Sequence, residues 1–175
     1  MRIPLRWLSE YVDLTVETGE LARRLTVAGA EVGEVITTAD WEGVVVGHVE
    51  KVEQHPNADR LVLATVDSGS GQLRQVVCGA PNVRAGQKIA YAAIGAKLID
   101  GHTGESVSLK AAKIRGVESR GMICSEKELG MSDQDEGILV LPEDAPVGKP
   151  LAEVIGDTVF DIEVTANRPD WLSVL

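Results

Sequence analysis

From Val44 to Leu141 the chain repeats one pattern: a short β-branched or apolar run, then a turn signal. Val44-Val45-Val46-Gly47-His48-Val49-Glu50-Lys51-Val52 is β-branched and partly alternating, which predicts a long strand. His55-Pro56-Asn57-Ala58-Asp59 predicts a turn, since proline fixes φ and Asn and Asp bond back to the local backbone. Leu61 to Val66 reads as a second strand, Ser68 to Gly71 as a hairpin turn, and Leu73 to Cys78 as a third strand. Residues 79–86 read as a loop and Lys88 to Ala93 as a fourth strand. Lys97 to Ser108 predicts a hairpin around Asp100 to Gly104, and Lys113 to Val117 one more short strand. Ser125 to Leu129 predicts a helical turn ended by Gly130, and Ile138 to Leu141 a last strand closed by Pro142. Short strands at this spacing point to a small antiparallel barrel.

The flanks have another period. Trp7, Leu8, Tyr11 and Val12 share one helical face behind Pro4. A second helix is predicted from Thr18, with Leu21, Ala22 and Leu25 inward, Arg23 and Arg24 outward, and Gly29 at its C′ position. Glu31 to Thr37 alternates as a short strand. The tail, Val159 to Thr165, reads as a strand, followed by a helix start with Asn167 as cap and Pro169 in its first turn. Leu172 to Leu175 resembles an apolar helix face cut short, so the native protein is expected to continue. With 175 residues, there is room for one domain and part of another. The expected architecture is α+β, mainly β: a five-stranded OB-like barrel over 41–151, inserted into a small α/β domain formed by 1–40 and 152–175.

Several function classes find no support. No run of ~18 apolar residues exists for a membrane helix. The amino terminus lacks the long apolar stretch of a secretory signal, so the expected location is the cytoplasm. Cys78 and Cys124 are too few for a disulfide framework and read as reduced, apolar core thiols. His48, His55 and His102 have no ligand spacing, so no metal is expected. Asp133 to Glu136 lacks calcium-loop spacing and reads as a solvated acidic loop. There is no nucleophile elbow, no phosphate-binding glycine loop and no cysteine with a plausible base nearby. No catalytic residue is expected in this chain.

Charge gives the remaining lead. The net charge is −10, which argues against a polyanion partner until it is mapped along the chain. Residues 74–120 hold eight basic and three acidic residues, a +5 island between flanks of −6 and −9. On charge alone, solvated strand-edge residues explain the island as well as a phosphate-binding face does. Lys113, Arg115 and Arg120 lie within eight residues, beside Gly116, Gly121 and Ser119, and the glycines would allow close approach of phosphates. Aromatic residues make up only 3%, which argues against stacking of successive bases and for recognition of RNA shape and backbone. Physical reasoning leaves RNA binding level with a protein-interaction barrel.

Four segments in one order break that tie. His55-Pro56-Asn57-Ala58-Asp59-Arg60-Leu61, Gln75 to Val83, Lys113 to Ser125 and Gly137-Ile138-Leu139-Val140-Leu141-Pro142 together resemble the tRNA-binding OB domain of the EMAP II type. Met1 to Val12, Leu21 to Val32 and Asp161 to Ser173 are similar to the start of the bacterial phenylalanyl-tRNA synthetase β-subunit family. Ala30 and Trp171 depart from that pattern, away from the basic segment. The resemblance implies a noncatalytic tRNA-binding module of an α2β2 ligase that uses ATP and magnesium elsewhere in the enzyme. It implies tRNA and the synthetase α subunit as partners, with neither membrane nor DNA. The candidate RNA contacts are Lys88, Lys97, Lys110, Lys113, Arg115 and Arg120, with Asn82 and Ser119 as polar partners. Arg115 leads, because guanidinium binds phosphate bidentately. His55 and Asp59 are expected to build a turn, and Met122 and Cys124 to lie in the core. Two alternatives stand beside this reading: a free-standing tRNA-binding chaperone, and an inter-domain scaffold that barely meets RNA.

Overall fold

Eleven residues of the Val44 strand do the work of two, and the barrel follows from that. The computed structural model describes residues 1–37, 41–100, 103–133 and 136–166. In chain order its elements are β1 (Arg2–Pro4), α1 (Leu5–Leu8), α2 (Thr18–Val27), β2 (Val32–Thr37), β3 (Val44–Gln54), β4 (Val62–Asp67) and β5 (Leu73–Cys78). There follow β6 (Lys88–Ala92), β7 (Lys97–Ile99), β8 (Ser106–Ser108), β9 (Ala112–Ile114), β10 (Val117–Ser119), β11 (Met122–Ile123), β12 (Val140–Leu141), α3 (Leu151–Ile155) and β13 (Thr158–Ile162). The predicted helix at Asn167, the tip of the Lys97 to Ser108 hairpin at 101–102 and the middle of the acidic loop at 134–135 lie outside the described residues.

The chain divides into two units, residues 41–155 and residues 1–40 with 156–175. In the first, β3 pairs with β6 through Val44 to His48 and with β4 through His48 to Gln54. A register shift between Val49 and Lys51 lets one strand serve both neighbours. The sheet order is β11-β6-β3-β4-β5, with β12 also on β6. β11 and β12 occupy one edge of β6 end to end, so the fifth strand of the barrel is split by the excursion through residues 124–139. Alternate residues point inward, as the pleat requires: Val49, Ala64, Val66, Val76, Cys78, Ile89 and Tyr91 are all buried. A side chain at Gly47 would sit 2.9 Å from Ile89, Tyr91 and Val66. Val83, Ile123 and Ile138 complete this core.

The seam between β5 and the β10–β11 segment closes by other means than a ladder. The Arg120 N–H donates to the Gln75 carbonyl at 2.9 Å. The Ser119 hydroxyl accepts from the Val77 N–H at 3.1 Å and donates to the Gly121 carbonyl at 2.9 Å. The Tyr91 hydroxyl donates to the Arg120 carbonyl at 2.7 Å. Gly121 lies under that ring with φ 147°, and an added Cβ would come 2.5 Å from Tyr91.

The other unit is a three-stranded antiparallel sheet in the order β1-β13-β2. Phe160, fully buried on the middle strand, packs with Ala30, Ile162, Leu21, Ala22 and Leu25. α2 thus packs the face predicted for it, half-buried, against this core. It ends where predicted too: the Gly29 and Ala30 amides return to the Thr26 and Leu25 carbonyls. α1 is shorter than the Trp7 to Val12 face suggests. After Leu8 the chain tightens into single turns, Tyr11 stands 63% exposed, and its ring meets Trp7 edge-on at 5.6 Å. Ser125 to Leu129 forms turns and no α-helix; they are anchored by the Trp41 indole N–H to the Leu129 carbonyl at 2.8 Å.

Gly121→Ala is expected to destabilise the chain by about 3 kcal/mol, from the clash with Tyr91 and the unfavourable φ together. Urea unfolding measures this, and an unchanged midpoint would show that the Tyr91 ring yields freely.

Candidate nucleic-acid interface

The sequence predicts one short strand, Lys113 to Val117, within the segment Ala112 to Ser119. That segment folds instead as a hairpin, with Ile114 opposite Val117 and Lys113 opposite Glu118. That register leaves two residues for the loop, Arg115 and Gly116, with φ of 48° and 92°. Positive φ at both central positions is the mark of a type I′ turn, whose twist matches that of its strands. Glycine suits its place. Arginine does not, and a non-glycine residue there costs roughly 1–2 kcal/mol. Among the described residues Arg115 is the only non-glycine with positive φ.

The predicted turn at His55 meets this hairpin. The Asn57 side-chain amide donates to the Arg115 carbonyl at 3.0 Å. His55 is 3% exposed, and its Nδ1 accepts the Asn57 N–H at 3.0 Å. That bond leaves the proton on Nε2, which donates to the Ile114 carbonyl at 3.3 Å. The His55 N–H in turn donates to the Leu61 carbonyl at 3.1 Å. His55 is a turn builder as expected, but its reach to residue 114 was not visible in local spacing.

The eight candidate residues separate by their surroundings. Lys110, Lys113 and Arg115 are exposed and make no ion pair among the described residues. Lys113 and Gly116 line a shallow depression of about 480 Å³ with Ala111, Ala112 and Glu118. Lys88 is half-buried on β6, away from this hairpin in sheet register, opposite His48 and Leu141. Lys97 is tied to Glu42 at 2.6 Å, and the lysine holds that carboxyl below its usual range. Arg120 is paired with Glu118 at 3.3 Å, so its charge is partly met within the hairpin.

Asn82 and Ser119 are structural residues here. Asn82 clasps the backbone of residue 138, accepting its N–H at 2.8 Å and donating to its carbonyl at 3.0 Å. Both ends of the amide are therefore spent on holding the strand that ends the barrel. Ser119 is 4% exposed, and its hydroxyl is spent on the seam. A second cleft, about 360 Å³, opens beside that seam between Val77, Cys78, Pro81, Met122, Glu128 and Ile138. The Glu128 carboxylate facing it accepts from both the N–H and the hydroxyl of Ser125.

The thiols are free and sit in the core. Burial pushes both above the ordinary cysteine range, Cys124 the further, with Glu128 adding repulsion to each. Burial likewise raises the Tyr91 phenol, partly opposed by Arg74. Among the described residues no three His, Cys, Asp or Glu side chains are grouped to hold a metal ion, and none of the helices is long and apolar enough to cross a membrane.

An antiparallel barrel whose rim carries an exposed basic hairpin belongs to the class of barrels that bind oligonucleotides. More narrowly, the chain belongs to the family described as "Putative tRNA binding domain", which matches residues 44–150. Beyond the barrel, the whole sequence has relatives. It is 53% identical over 175 residues to the phenylalanine–tRNA ligase beta subunit of Dehalococcoides mccartyi, covering 99% of this chain and 22% of that protein. The same subunit of Ralstonia nicotianae is 47% identical over 177 residues, again covering 99% and 22%. The chain therefore spans about a fifth of the length of the curated relatives it matches. Among solved structures, a MetRS-related protein from Pyrococcus horikoshii shares 24% identity at a TM-score of 0.43, covering 61% of this chain and 85% of that one.

Two outcomes follow from this geometry. Arg115→Gly should raise stability by about 1 kcal/mol in thermal or urea unfolding, because glycine removes the left-handed strain. The buried thiols set a high-pH limit. A thiol raised on folding contributes stability that is fully present below its unfolded value near 9.0 and is lost as pH climbs through the folded value. Unfolding free energy should thus fall above about pH 9, and Cys124→Ala should flatten that fall.

Proposed function

We propose that this chain is a noncatalytic tRNA-binding module of a phenylalanyl-tRNA ligase β subunit, and that it grips the tRNA phosphate backbone with the Arg115 hairpin. The observation that carries this reading is the basic hairpin: Lys113 and Arg115 on it and Lys110 just before it, all exposed and without acidic partners among the described residues, with the hairpin bonded to the barrel wall. Relatives at 53% and 47% identity match the flanking unit as well as the barrel, which favours the synthetase subunit over a free-standing chaperone. Arg120 extends the contact surface, and Lys88, half-buried on β6 away from the hairpin, would make a separate contact. Asn82, Ser119 and the paired Lys97 contribute by building or balancing it.

Contacts to phosphate position a protein without reading sequence, so this module adds affinity and orientation while discrimination among tRNAs comes from elsewhere. ATP, magnesium, the α subunit and the aminoacylation chemistry belong to the larger cytoplasmic enzyme.

The net charge of the chain, −10, favours a second reading in which the barrel packs against other protein and barely meets RNA. Titration of the chain with tRNA over a salt series separates the two. Binding should weaken steeply with salt, and Arg115→Ala and Lys113→Ala should each lower the slope of log K against log salt by about one. Ser119→Ala should lower stability with no change of slope. Absence of binding at low salt would leave the scaffold reading.

A further inference from the structure

We propose that the His55-Pro56-Asn57 loop is the positioning element of the cationic hairpin: it holds residue 115 in its left-handed conformation and so aims the Arg115 guanidinium. The proposal deepens the tRNA-binding reading and rests on it. An arginine left to itself avoids positive φ, and a loop of Arg-Gly carries only one residue suited to a type I′ turn. Something outside the hairpin must hold the other. The Asn57 amide and the His55 Nε2–H engage the carbonyls of residues 115 and 114, one after the other, from 58 and 59 positions away in sequence. A local turn would need neither bond.

The grip is itself braced. Pro56 restricts the backbone between the two side chains, the Asn57 N–H closes onto His55 Nδ1, and the His55 N–H closes onto the Leu61 carbonyl. Gly116 lies directly against the loop, where an added Cβ would stand 3.5 Å from Asn57 Nδ2. Both nitrogens of the His55 ring are occupied in this arrangement, and the ring is buried. The loop therefore acts on RNA through Arg115. A strained residue that faces solvent with a full charge and no acidic partner among the described residues is the pattern expected of a binding device.

The test uses the 175-residue chain with Asn57→Ala, Arg115→Ala and the double variant, titrated with tRNA across a salt series. Asn57→Ala should weaken binding as much as Arg115→Ala, roughly threefold to tenfold at low salt, and lower the salt slope by about one. The double variant should bind no more weakly than Arg115→Ala alone. Lys113→Ala should add its full loss to that of Asn57→Ala. Asn57→Asp, which keeps the shape but lacks the donor, should repeat the result and stands in if Asn57→Ala does not fold. In parallel, the HN–Hα coupling of residue 115 by NMR should move away from its left-handed value in both Asn57 variants. Additive losses from Asn57 and Arg115, or unchanged binding in Asn57→Ala, would overturn the proposal. If the unaltered chain binds no tRNA at low salt, the tRNA reading fails. The coupling constant then decides by itself whether the loop sets residue 115, and an unchanged coupling rejects the proposal.

Discussion

Closure of the barrel at its seam governs what the rest of this chain can do. Strand β5 would otherwise present a row of open N–H and C=O groups, the usual liability of a sheet edge. One serine hydroxyl and one backbone amide cover it: Ser119 on the Val77 N–H and Arg120 on the Gln75 carbonyl. The hairpin carrying Lys113 and Arg115 ends at Ser119, so the same atoms that shut the barrel also anchor the basic tip. Stability and presentation of charge are therefore coupled at one position. A loose hairpin would lose entropy on meeting RNA, and this one has already been ordered by folding.

The barrel was legible because its strands obey simple rules. Val44 to Val52, Leu61 to Val66 and Leu73 to Cys78 are β-branched or apolar runs bounded by strong turn residues, and each forms a strand close to where its pattern lies. Cys78 and Cys124 behave as core residues for the same reason. The hairpin at Arg115 was hidden because its turn breaks the preference of its own residue. Gly116 is the one local turn signal, and it does not announce positive φ at Arg115, whose bonded partners Asn57 and, through residue 114, His55 are 58 and 60 positions away in the chain. Asn82 and Ser119 show the converse. Polar residues beside basic ones suggest ligand contacts, yet both are absorbed by backbone groups of distant segments. Sequence spacing reports which side chains are polar; it does not report which polar groups already have partners.

Charge behaves similarly. The +5 island between residues 74 and 120 exists in the sequence, but the fold spends part of it. Lys97 turns to Glu42 and Arg120 to Glu118. Lys110, Lys113 and Arg115, without ion pairs among the described residues, leave a small basic patch on an acidic chain. The field of such a patch is screened beyond roughly 8–10 Å at physiological salt. Under the proposed function, this small patch predicts contact that is weak and sensitive to salt.

The arrangement of the barrel ends bears on how the chain folds. Gly148 and Lys149 bond to the two sides of Val46, and Val45 bridges to Pro150, so the segments entering and leaving the barrel run side by side. The three-stranded sheet of the other unit joins residues as far apart as Arg2 and Asp161. Pairing them in an unfolded chain means closing a loop of more than 150 residues. Once the barrel has formed, most of that loop is already closed, and β13 has only a short search to find β1 and β2. Where the barrel forms first, the insertion turns a slow, long-range pairing into a nearly local one.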